Sequence, residues 1–193
     1  MSISRTRRIG TLMLDGRSQD SSKSNRAELD SHADTCCAGI NTIPFSYSEE
    51  TVTVSPFLDA YTPLKEVKIA SVVTAYDDPF TGDTIFLVIH EALYFGDRLP
   101  QTLLNPNQIR YHGNKVHDVP KQFDLDSQHA IEIPSKGLVL PLGLDGIISY
   151  LPTRKPTPEE MTEFRTQNPD DWVELTSDVA WRPYSKEFKE AEN

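Results

Sequence analysis

The sequence holds only two cysteines, Cys36 and Cys37, and they are adjacent. Neighbouring cysteines cannot close the long loops that staple a small secreted domain, so a disulfide framework is excluded and a reducing compartment is expected. Adjacent sulfurs are also poor chelators, because zinc-binding pairs are separated by a short spacer. Long apolar runs are missing too. No stretch approaches the roughly 20 residues of a membrane helix, and the start of the chain has no apolar segment of the signal-peptide kind. Positive charge is scarce: 19 Lys and Arg face 29 Asp and Glu, for a net charge of -10. That balance speaks against a general nucleic-acid binder or a protein of anionic membranes. The reading is a water-soluble, intracellular, cytoplasmic chain.

Glycine is sparse beside proline, 9 against 14, and mean hydropathy is -0.46. Such a chain is expected to hold one domain with a real core, many extended connectors and some unpacked residues. Residues 1–25 read as a flexible linker: Arg5, Arg7 and Arg8 form a small basic cluster, and a polar string follows in which only Ile9 to Leu14 offers an edge strand. From 26 to 150 the pattern turns to short apolar or alternating runs broken by Pro, Gly, Asn and Asp, the mark of a β-rich domain. Expected strands are Val52 to Val54, Val67 to Ala75, Thr84 to His90, Ile131 to Ile133 and Gly137 to Leu140. Asp77-Asp78-Pro79-Phe80-Thr81-Gly82-Asp83 has the fixed-φ Pro and the positive-φ Gly of a hairpin turn. Asn105-Pro106 predicts a capped helix running to about His112. Residues 151–193, rich in proline and charge, read as a linker or docking tail toward a further region. Within it Thr157-Pro158-Glu159-Glu160 is a capping box that predicts a short helix over Met161 to Arg165.

The stretch that carries chemistry is Leu29-Asp30-Ser31-His32-Ala33-Asp34-Thr35-Cys36. A hydrophobic residue leads directly into a carboxylate, a neighbouring hydroxyl and a small residue. An aspartic protease needs this set: a carboxylate at a strand end, a hydroxyl to orient it, and small neighbours so that two such loops can meet. Alone, an Asp-Ser pair is more often a local turn. Its order along the chain adds weight, because Leu103-Leu104-Asn105, an apolar pair entering the predicted helix, follows the polar segment Asp59-Ala60-Tyr61-Thr62-Pro63 and the hairpin.

On those residues the chain resembles the retropepsin-like aspartic protease region of copia-type retrotransposon Gag-Pol polyproteins. The resemblance extends to Ile147-Ile148-Ser149-Tyr150-Leu151-Pro152-Thr153-Arg154 and Trp172-Val173-Glu174-Leu175-Thr176, similar to the spacer that follows the protease in such elements. It implies an all-β fold, an acid-protease half-barrel with one short helix, closed by homodimerisation. A flap hairpin would lie roughly between Thr51 and Lys68. It implies an aspartic endopeptidase with Asp30 and Ser31 as the catalytic pair, Ala33 and Asp34 binding the substrate backbone, and Arg110 pairing with Asp34. Substrates would be peptide segments of the chain's own polyprotein, in the cytoplasm or in virus-like particles, with no cofactor, metal, membrane or nucleic acid. The chain departs from the family at two places: His32 and Asn105 stand where Gly is usual. Asp126-Ser127-Gln128-His129 is a second Asp-Ser pair, but no small residue follows it. A single motif means two carboxylates require two chains.

Three other readings start from the same residues. His32 with Cys36 and Cys37 raises a metal site, and Cys37 with one of the histidines a thiol nucleophile; the bland role for both cysteines is as buried small side chains. The third is a catalytically inactive dimerisation or peptide-binding module derived from a retroelement, for which His32 is the supporting feature.

Overall fold

The computed structural model describes residues 5–9 (as backbone), 25–56 and 62–191. Its strands are β1 Arg5–Ile9, β2 Arg26–Leu29, β3 Cys37–Gly39, β4 Ile43–Pro56, β5 Leu64–Asp77, β6 Thr84–Gly96, β7 Thr102–Leu104, β8 Lys115–His117, β9 Ala130–Ile133, β10 Leu138–Pro141, β11 Gly143–Asp145, β12 Ile148–Pro152 and β13 Val173–Glu174. The helices are α1 Pro106–Tyr111, α2 Pro158–Thr166 and α3 Lys186–Glu190. The chain is mostly β. Nine strands follow the order β1-β4-β5-β6-β3-β7-β2-β12-β11, β13 pairs with β6, and β10-β9-β8 form a separate small sheet. This path is an open sheet and not a closed barrel.

The long strands change character along their length. Leu64 to Ile69 of β5 alternate or lie exposed, whereas Val72 to Tyr76 are all buried. Continuous burial requires cover on both faces. One face, with Val72, Leu87 and Ile89, packs on the main core that includes Leu104, Ile109, Ile131 and Leu151. The other, with Val73, Phe86 and Val88, packs on Met161 and Phe164 of α2.

That second cover comes from the segment read as a linker. The boundary drawn at residue 150 cuts through β12, which pairs with β2 as Leu151↔Ala27. Beyond it α2 lies on the sheet, Trp172 stacks on Phe164 with ring centroids 5.1 Å apart, and Leu175 and Trp181 are buried. Arg154 ties the tail to the β5–β6 hairpin by forking between Asp77 (2.7 Å) and Glu160 (2.7 Å). Residues 151–191 are therefore part of the body; most of their charge and Pro152, Pro158 and Pro169 sit on the outer surface while widely spaced large apolar side chains reach inward.

The local turn and cap signals hold in the structure. Asp78 N–H donates to Asp83 O and Gly82 N–H to Asp78 O, with Gly82 at φ 79°, closing the expected hairpin turn. Asn105 caps α1 by accepting from Gln108 N, and His112 is its C-cap. Thr157 and Glu160 form the capping box, though α2 starts at Pro158 and reaches Thr166. The five expected strands lie in β4, β5, β6, β9 and β10, except that Gly137 precedes β10 at φ 63°. The N-terminal edge strand is Arg5–Ile9, parallel to β4, so the basic cluster read as a linker lies in a strand. Residues 10–24 lie outside the described residues. Thr51↔Lys68 pair across β4 and β5, and residues 57–61 also lie outside the described residues.

Candidate functional site

The loop after β2 is held by an interleaved strand. β7 lies between β2 and β3, parallel to β2 (Leu29↔Leu104) and antiparallel to β3 (Cys37↔Leu103). The ladder continues one residue further, because Asp30 N–H donates to Leu104 O at 2.9 Å. A buried polar network fixes the base of β2. Arg26 and Glu28 pair at 2.6 Å with both side chains under a tenth exposed, Arg26 also reaches Asp145 at 2.7 Å, and Gln101 Nε2 donates to Glu28 at 3.2 Å. Asn41 Nδ2 donates to Arg26 O and to Thr153 Oγ1, and its carbonyl accepts from Thr102 Oγ1 of β7. Buried ion pairs of this kind tolerate the loss of neither partner, so the strand that delivers Asp30 is rigidly placed.

Within the loop, Asp30 Oδ1 accepts from His32 N (2.9 Å) and Ala33 N (3.3 Å). The Asp30 side chain is 10% exposed, whereas that of His32 is 79% exposed with Nδ1 3.9 Å from Asp30 Oδ1. Among the described residues the non-glycine positions of positive φ are Glu66, Glu91 and His129. His32 is absent from them, so the loop does not demand glycine there on conformational grounds. Ser31 is exposed and Ala33 is fully buried. Asp34 accepts from Thr35 Oγ1 at 2.9 Å.

Helix α1 locks the loop from one side. Asn105, in the place of the second expected glycine, donates its Nδ2 to Ala33 O and its backbone N–H to Cys36 Sγ. Gln108 Oε1 accepts from Cys36 N at 2.8 Å, while its Nε2 donates to Glu91 O at 3.2 Å. The role of Gln108 was not foreseen; a polar side chain three residues past a cap, on the helix face that carries Ile109 into the core, was the available signal. Arg110 does not pair with Asp34. Its guanidinium bonds Asn107 Oδ1, Val116 O and Asp118, because residue 110 points away from the loop once Gln108 and Ile109 face inward.

Both cysteines are fully buried. Burial pushes the Cys36 thiol up to about 12. The Cys37 thiol is pushed well above its ordinary value, first by burial and then by Cys36. Neither is an activated thiolate at neutral pH. Among the described residues no group of three or more His, Cys, Asp or Glu is placed to hold a metal ion, and no helix is long and apolar enough to cross a membrane. The second Asp-Ser pair is a surface turn: Asp126 N bonds Asp124 Oδ1 and Ser127 Oγ bonds Val119 O. Comparison with protein-family models, with curated proteins and with solved structures gives no match to any of the three.

Proposed function

We propose that the chain is a retropepsin-like aspartic endopeptidase of a retrotransposon polyprotein, acting as a homodimer. The observation that carries this reading is the Asp30 carboxylate at the exit of β2, clasped by two backbone N–H groups of its own loop and anchored to β7, which threads between β2 and β3. Two copies related by a two-fold axis bring two such carboxylates together. Like charges at that distance share one proton, so one carboxylate activates water while the other protonates the scissile carbonyl oxygen. Ser31 orients the pair, and Ala33 and Asp34 bind the substrate backbone. The β4–β5 hairpin serves as the flap. No metal or cofactor enters the reaction. The substrates are junctions of the chain's own polyprotein.

The exposed imidazole of His32 favours a second reading, an inactive dimerisation or peptide-binding module, since it stands where the two loops would meet. One experiment separates them. A fluorescence-quenched casein is incubated with the chain and with Asp30→Asn between pH 4 and about 7, the span that brackets a coupled carboxylate pair. Cleavage by the first and not the second supports the endopeptidase. Absence of cleavage by either, with a dimer seen in sedimentation, moves the assignment to the module.

A further inference from the structure

The segment beyond β13 reaches the same loop beside the C-terminal end of α1, where Trp181 packs on Tyr111. β13 runs parallel to β6 with Val173↔Leu87 and Glu174↔Val88, and Leu175 N–H extends the ladder to Val88 O at 2.8 Å. Thr176 Oγ1 then accepts from His90 N and donates to His90 O, both at 2.8 Å. At this point β6 bulges. Ala70 pairs with Ala92 and Val72 with Ile89, so Ser71 alone opposes His90 and Glu91. Glu91 takes φ 52°, a region that non-glycine residues occupy only when the surroundings enforce it. Bulges re-aim side chains, and here both are aimed at the tail. The His90 ring sits between Ser71 Oγ (2.8 Å) and Glu174 Oε1 (2.9 Å), and Glu91 Oε2 accepts from Trp181 N (2.9 Å).

Trp181 is the end of this chain of contacts. It is 3% exposed, packs against Tyr111 and Phe188 with centroids 5.3 Å away, and donates its indole Nε1–H to Asp34 O at 2.7 Å. Asp34 O is the backbone of the residue assigned to substrate binding. The loop is thus gripped from α1, by Asn105 at Ala33 and Gln108 at Cys36, and from the tail by Trp181 at Asp34, and Glu91 touches Gln108 through its carbonyl and Trp181 through its carboxylate.

We infer that Trp181 is a positioning residue for Asp34, and that the segment from Val173 to Trp181 is a built part of the site and not a spacer following it. The inference rests on the endopeptidase reading for what Asp34 does, but not for the mechanical link between indole and loop. Removing the indole donor frees the Asp34 carbonyl to shift, which weakens substrate binding more than it alters chemistry at Asp30.

The test compares the full chain with Trp181→Phe, which keeps an aromatic ring and removes the N–H. Turnover of quenched casein gives kcat and KM separately. Labelling of Cys36 and Cys37 by an aromatic disulfide, in native buffer and across a urea titration, reports opening of the loop beside global unfolding. The expected result is a KM raised roughly tenfold with kcat within about threefold, and native thiol labelling faster by roughly tenfold, the ratio that loss of one buried hydrogen bond produces, at a rate that hardly changes with urea below the unfolding transition. A merely structural role lowers the fraction of folded enzyme, which reduces apparent kcat and leaves KM alone. That pattern, or labelling whose rate carries the full urea dependence of global unfolding, overturns the inference. If the unmodified chain cleaves nothing, the endopeptidase reading fails by itself, and thiol labelling still decides whether Trp181 holds the loop.

Discussion

Two Asp-Ser pairs, Asp30-Ser31 and Asp126-Ser127, have the same chemistry and opposite surroundings. The first follows a buried strand whose ladder partner comes from 74 residues away, and its loop is bonded by side chains from α1 and from the tail. The second is satisfied locally: its bonds reach Asp124, Val119 and His129, within eight residues. A motif acquires a function from what the rest of the chain does to it. Local bonding makes a turn, and distant bonding makes a site whose geometry the whole fold guarantees.

The comparison breaks most visibly at the carboxylates. Asp30→Asn keeps an oxygen to accept the loop N–H groups, so stability should hold while casein cleavage falls by at least about a thousandfold. Asp126→Asn should leave cleavage within twofold. Equal losses from both would sink the assignment.

Stability separates the loops next. Gln108→Ala strips the buried Cys36 N–H of its acceptor and two carbonyls of a donor, and urea titration should show a loss of about 3 kcal/mol. Ser127→Ala, which removes an exposed hydroxyl bond to Val119 O and the acceptor of His129 N–H, should cost about 1 kcal/mol.

The smallest effect is in pH. Burial holds the His129 imidazole below its ordinary range, with Lys121 adding to the shift. A group whose folded value is depressed binds a proton more readily when unfolded, so its contribution is complete above the ordinary value of about 6.5 and is lost as pH falls from there through the folded value. Amide protection factors around residues 126–130, taken relative to intrinsic exchange at each pH, should therefore fall on going from pH 7 to pH 5 ahead of those of the Asp30 loop. If residues 30–36 loosen first, the contrast between a pH-sensitive turn and a firmly held site is wrong.

Much was legible in the sequence where physics is local. The Asp78–Gly82 turn, the Asn105 cap and the Thr157–Glu160 box each depend on residues within a few positions, and each stands where it was read. The Asp30 loop was found as a motif, but its supports were not, because Leu104, Gln108 and Trp181 reach it only through the tertiary fold. The tail was misread as linker for a related reason. Composition averages over a segment, and the acidic, proline-rich average of residues 151–193 hides four large side chains, Met161, Phe164, Trp172 and Leu175, that face the sheet. Both tryptophans of the chain lie in that tail, a rare and costly side chain to place in a spacer, and that was the unused signal. Arg110 failed by register: a helix of six residues lets one face point inward, and Gln108 and Ile109 occupy it.

The threading of β7 between β2 and β3 also sets an order in time. Asp30 and Ser31 leave the ribosome early, but the strand that completes their ladder is made more than seventy residues later and the indole at Trp181 later still. Contacts of such separation form last, after the entropy of closing the long loop has been met. Until then the motif lacks its ladder partner, and the loop would take its shape in one step near the end of translation of this segment. A chain interrupted between Cys36 and Leu104 would carry the whole Asp30 motif without the strand that pairs with it.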